Sequence, residues 1–211
     1  MYSHAESPYM PSVIRTFALS LAIAFIGMAC GVFIPPALFM PLAILELAML
    51  LGAFFLRKKK TISYTFLYIF TFISGITMYP IINYYAAAAG ANVVLMALGT
   101  TTFVFTGLAV YATKTKRDFG FLRGMLFAAL LALIAISIFN MIWPLSSTGM
   151  LAFSFIGVLV FSGYVLYDFN MMKRYGVSAE EVPLMALNLY LDFINLFISL
   201  LRIFGILSSD D

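Results

Sequence analysis

Three features of the sequence predict an all-α integral membrane fold: charge is scarce, long apolar runs recur, and most of the charge lies between those runs. Only 10% of the residues are charged and 64% are hydrophobic, whereas a soluble domain carries roughly 25% charged residues. A surface that poor in charge does not stay dissolved in water, so most of it faces lipid. Runs of about 18 or more apolar residues are long enough to cross the hydrocarbon core as helices. A closed β-barrel, the other spanning solution, needs a period-two alternation that this chain lacks.

The breakers between runs divide the chain into seven spans of one domain covering residues 1–211, near 12–33, 37–56, 62–83, 91–112, 119–142, 149–172 and 183–204. Pro35-Pro36 separates the first from the second, because proline lacks the N–H a helix needs and restricts the residue before it. The basic run Arg57-Lys58-Lys59-Lys60 ends the second span, and Gly90 opens the fourth. The polar stretch from Lys114 to Asp118 ends the fourth, Trp143-Pro144 with Ser146 and Ser147 ends the fifth, and Lys173 to Pro183 separates the last two. Tyr84, Tyr85 and Trp143 fall near span ends, where amphipathic rings suit the membrane interface. Gly99 and Gly107 are too far apart to signal a close helix crossing.

Charge placement sets the orientation. With compartments alternating at each span, 11 of the 12 basic residues fall on one side and only Arg202 on the other. Positive loops stay cytoplasmic, which puts the N-terminus inside and, if the last helix spans fully, the C-terminus outside. The same loops account for the net charge of +3, so it implies no nucleic-acid partner; the expected surroundings are membrane lipid. No basic region with a short apolar stretch and a cleavage site opens the chain, so the first run is expected to be a retained span. Cys30 is the sole cysteine and His4 the sole histidine, which excludes an intramolecular disulfide, paired-histidine metal motifs and a Ser-His-Asp relay within the membrane. No cofactor is expected.

The residues that bear on function are those that are expensive in lipid. An ionisable side chain in a span costs about 2.5–3.5 kcal/mol on insertion scales and therefore faces a partner or a water-filled cavity. Glu46, Asp168 and Asp192 are such residues, and Arg57 and Arg202 lie at helix ends from which they could reach inward. In the seventh span, Asn188, Asp192, Asn195, Ser199 and Arg202 recur at spacings of four and three and so stack on one face. Lipid cannot hydrogen-bond that stripe, which places this helix inside the bundle. Asn188, Asn195 and Ser199 read equally as interhelical glue. Asp192 fits that reading less well, since a neutral asparagine would serve with less penalty.

Depth pairs these groups. At 1.5 Å per residue, Asp192 lies about 13 Å and Asp168 about 6 Å from the cytoplasmic ends of their helices. Both fall in the cytoplasmic half, which Arg57 can also reach. Glu46 and Arg202 lie in the outer half and could form a second pair. Two carboxylates in a poorly hydrated site do not both ionise easily and titrate as a unit. Such a pair shares a proton, binds a hard cation such as Ca²⁺, or activates water. Arg57 would compete with a cation for the carboxylates, which makes it a latch.

The segment Leu166-Tyr167-Asp168-Phe169-Asn170, the run from Ala186 to Phe197 containing Tyr190-Leu191-Asp192-Phe193-Ile194-Asn195, and the ending Leu200-Leu201-Arg202-Ile203-Phe204-Gly205 resemble the transmembrane Bax inhibitor motif family, most of all its bacterial calcium-leak members. The resemblance covers nearly the whole chain. It implies six helices around a central C-terminal helix and a pH-sensitive passive Ca²⁺ leak rather than an enzyme. Asp168 and Asp192 would then be the paired proton sensor and possible Ca²⁺ site, Arg57 the latch, and Glu46 with Arg202 an outer interlock. The basic tail of some eukaryotic members is missing, since this chain ends Ser208-Ser209-Asp210-Asp211.

Two other classes would use the same aspartates. An H⁺/Ca²⁺ exchanger looks identical in sequence. An intramembrane aspartyl protease also places a tyrosine-aspartate on one helix and an aspartate on the next. Its second aspartate follows a glycine-x-glycine that Tyr190-Leu191-Asp192 lacks, and no Pro-Ala-Leu follows here.

Overall fold

The computed structural model describes residues 9–56 and 62–209. They form seven long helices: α1 (Met10–Gly31), α2 (Phe39–Leu56), α3 (Tyr64–Ala89), α4 (Ala91–Lys114), α5 (Leu122–Ile142), α6 (Ser147–Tyr175) and α7 (Val182–Ser209). Short 3-10 turns at Pro36–Leu38 and Ala179–Glu181 lead into α2 and α7. All seven are long and apolar enough to cross a membrane, and no strand occurs among the described residues.

Local chemistry explains the boundaries. Pro11 sits in the first turn of α1, where its missing N–H costs nothing. Trp143 and Pro144 stop α5, and the Asn140 side chain receives the freed Leu145 N–H at 2.8 Å. The Ser146 hydroxyl accepts from Gly149 N–H at 3.2 Å to start α6. Ahead of α7, the Glu181 carboxylate accepts both the backbone N–H and the hydroxyl of Ser178, at 3.0 and 2.9 Å, the reciprocal half of a capping box.

The third span runs further than expected. It continues through Pro80 to Ala89 rather than ending near residue 83. The alanines 86–89 are the strongest helix formers available, and one proline is tolerated in a long apolar helix. Gly90 alone then turns the chain into α4, with φ +90° and ψ 155°, a nearly glycine-only conformation that costs an L-residue about 1–3 kcal/mol.

The chain divides into two compact units. The first contains α1, α2, most of α3 and the start of α7. Its tightest packing is between α1 and α3, where Gly27 faces the backbone of Phe72, Gly75 faces the backbone of Ala24, and Gly31 lies under the Tyr79 ring. Apolar contact gains little when the alternative solvent is lipid, so close backbone approach at small residues carries helix association. On the α3 side, Phe39 stacks on Tyr79 and Phe70 meets Tyr190 edge-on, with centroids 6.2 and 6.3 Å apart.

The second unit contains α4, α5, α6 and the rest of α7. Gly157 of α6 leaves room for the Ser199 hydroxyl, and Gly163 receives the Leu126 side chain. Of the seven spans α7 is the most buried, at 67% of its apolar window against 6% for α2. This agrees with a polar stripe that lipid could not accommodate.

Candidate functional site

Asp168 and Asp192 both belong to the second unit. Asp192 is only 5% exposed, Asp168 is half-buried, and both residues interact with neighbouring groups. Their depth is fixed by the residues that follow them. Phe169 and Phe193 each meet the ring of Phe105 in α4 edge-on, with centroids at 5.8 and 5.4 Å. One ring thus holds α6 and α7 at a common level immediately beside both aspartates. Edge-to-face pairs are worth about 0.5–1.5 kcal/mol each, enough to fix the register of two helices locally.

Just below this level, Asn170 is fully buried and holds the α4–α5 loop. Its Oδ1 accepts the Phe119 N–H at 3.1 Å, and its Nδ2 donates to the carbonyls of Arg117 at 3.1 Å and Ala112 at 3.4 Å. Arg174 Nε also donates to Oδ1 at 3.3 Å. Lys173 Nζ donates to the Thr115 carbonyl at 2.8 Å, and Arg174 to the Lys116 carbonyl at 2.9 Å. The Arg174–Asp118 ion pair, at 3.7 Å and partly exposed, adds little, as surface pairs are worth about 0–1 kcal/mol. The C-terminal turn of α6 is therefore strapped to the loop that follows α4. Sequence reasoning did not single out Asn170. The available signal is that it stands two residues after Asp168, about 200° around the helix, and so faces a different neighbour.

Along the α7 stripe, the hydrogen bonds of Asn195 and Ser199 stay within the helix. Asn195 Nδ2 donates to the Leu191 carbonyl and Ser199 Oγ to the Asn195 carbonyl, both at 2.7 Å. Asn188 is half-buried and engaged. Arg202 lies with its guanidinium 5.8 Å above the centre of the Phe153 ring and close to Tyr85. Tyr85 in turn packs flat against Gly205, one turn on.

Glu46, in the first unit, accepts a short hydrogen bond from Thr77 of α3. The fully buried Tyr190 lies near it, with its hydroxyl beside Ser74 and forming no hydrogen bond of good geometry. Thr77 and Tyr190 had no sequence signal of their own, being ordinary residues in apolar helices. Arg57, the expected latch, lies outside the described residues. No group of three or more histidine, cysteine or acidic side chains gathers among the described residues.

Comparison with known proteins places this arrangement. The model of the family described as inhibitor of apoptosis-promoting Bax1 matches residues 7–209. The chain belongs to the Bax inhibitor family. Among its relatives is Bax inhibitor 1 of Schizosaccharomyces pombe, 36% identical over 79% of this chain and 61% of that protein. An uncharacterized membrane protein of Vibrio cholerae is 35% identical over 93% of this chain and 86% of its own length. An uncharacterized protein of Campylobacter jejuni is 34% identical over 93% and 87%. This Bax inhibitor family member is thus a membrane protein of seven spans, and none of these relatives carries an enzyme's name.

Proposed function

We propose that the protein is a passive, proton-gated Ca²⁺ leak of the cell membrane, with its N-terminus cytoplasmic and its C-terminus outside. Asp168 and Asp192 form the sensor and transient Ca²⁺ site, Arg57 is the latch, Glu46 and Arg202 form an outer interlock, and α7 is the helix around which the others gather. The observation that supports this reading is a buried Asp192 on α7 whose neighbour Phe193 meets the same Phe105 ring as Phe169, the neighbour of Asp168 on α6. A buried aspartate is retained at a cost of about 2.5–3.5 kcal/mol, which a purely structural contact would avoid with asparagine. When one carboxyl of such a pair takes a proton, the site loses charge and releases both cation and arginine.

The test is Ca²⁺ flux into liposomes across a pH series. The wild type is expected to pass Ca²⁺ down its gradient at a rate set by pH. Asp192→Asn and Asp168→Asn, each fixing one carboxyl in a neutral form, are expected to flatten that dependence. Unchanged flux and pH response in both variants would remove the sensor role. Uphill accumulation driven by an imposed pH gradient would replace the leak by exchange.

A further inference from the structure

The second unit contains a shallow, open recess lined by Ile136, Ser137, Asn140, Leu145, Phe153 and Arg202. It lies at the end of α5, α6 and α7 opposite Lys173 and Arg174. We propose that this recess is a phosphodiester site for a membrane phospholipid.

The polar groups facing it are donors. The Asn140 Oδ1 is committed to the Leu145 N–H, which leaves its amide N–H₂ to donate. Ser137 supplies a hydroxyl and Arg202 a guanidinium, and no acidic residue lines the recess. The guanidinium lies 5.8 Å from the centre of the Phe153 ring, a cation–π contact that uses none of its N–H donors, and a guanidinium fork pairs with two phosphate oxygens. A cation so close to the apolar zone needs a counter-charge, and the phosphates of the bilayer are the anions fixed at that depth.

The rim selects a lipid over a free anion. Phe139, Met141, Ile142 and Trp143 around Asn140 are 71–82% exposed, and they end α5 beside the recess. They offer an apolar surface for acyl chains and an interfacial tryptophan at the glycerol level. Inorganic phosphate would gain nothing from them.

The full-length protein in detergent micelles, titrated with dioleoyl phosphatidylglycerol and followed by thermal unfolding, tests the assignment. The phospholipid is expected to raise the unfolding midpoint saturably, while dioleoylglycerol and inorganic phosphate leave it unchanged. Arg202→Gln and Ser137→Phe, the second filling the recess from an exposed position, are each expected to weaken the lipid's effect about tenfold, the loss of one charge-assisted pair. Should Arg202→Gln fail to fold, Ser137→Phe decides alone. An equal rise with dioleoylglycerol would mean contact by acyl chains only, and an equal rise with inorganic phosphate a free-anion site. Either result overturns the assignment, as does an unshifted titration in the variants that fold.

Discussion

Gly75→Leu is expected to lower the thermal unfolding midpoint by about 10 °C, the largest stability effect of any single glycine replacement in the first unit. A Cβ at this position would stand 2.8 Å from the carbonyl carbon of Ala24 and 2.9 Å from its Cα. The obstacle is helix backbone, which cannot rotate away as a side chain can. The approach is reciprocal, since a Cβ at Gly27 would stand 3.1 Å from the carbonyl carbon of Phe72. Each helix thus turns a carbonyl toward a glycine Cα of the other, a geometry suited to Cα–H···O contacts of about 0.5–1 kcal/mol each. Leucine would lose these contacts and force the helices apart. Overpacking commonly costs about 1–3 kcal/mol, and with rigid backbone opposite the upper end applies. At about 2–4 °C per kcal/mol for a chain of this size, that gives the expected shift. The sole cysteine, Cys30 of α1, is half-buried, so labelling of its thiol during heating reports the separation directly. Gly52→Ala is the control, because a Cβ there meets nothing within 4 Å, and its midpoint is expected not to fall, since alanine is the better helix former by about 1 kcal/mol. An unshifted midpoint for Gly75→Leu would show that α1 and α3 do not meet as described.

This crossing also shows where sequence reading stops. Gly27 and Gly31 are four residues apart, the spacing of close helix crossings in membranes, and that signal was present in the chain but not used. Gly99 and Gly107, set aside for their wide spacing, indeed face open space. The seven spans were legible because hydropathy and breakers act locally; the end of α3 was not, because Pro80 and the two tyrosines resemble a stop while four alanines sustain the helix. The two aspartates stood out because lipid makes any buried charge conspicuous. Which partner each polar group takes was not legible. Glu46 bonds Thr77, and Asn195 and Ser199 bond their own helix, choices settled by helix rotation and close packing that no spacing rule encodes.

Asn170→Ala is expected to loosen the α4–α5 loop and to speed tryptic cleavage after Lys116 and Arg117 at least tenfold. The last carbonyls of α4 have no partner within the helix, and Asn170 Nδ2 reaches that of Ala112 as well as that of Arg117. Alanine leaves both carbonyls and the Phe119 N–H without their side-chain partner in a buried setting. An unmet buried group costs about 1–3 kcal/mol, and partial access of water as the loop lifts keeps the total near the low end of the sum. A gain of about 1.4 kcal/mol in the open form is already tenfold in its population, which is what trypsin samples when reclosing is fast. Asn170→Asp is expected to be worse than alanine. It keeps the oxygen that receives Phe119 N–H but presents a second oxygen to the two carbonyls and adds charge two residues from Asp168. Cleavage at the wild-type rate in Asn170→Ala would show that Lys173 and Arg174, through their own bonds to Thr115 and Lys116, hold the loop without the asparagine. Faster cleavage would establish that the C-terminal turn of α6, which follows Asp168, is fastened to the loop after α4 by the Asn170 side chain.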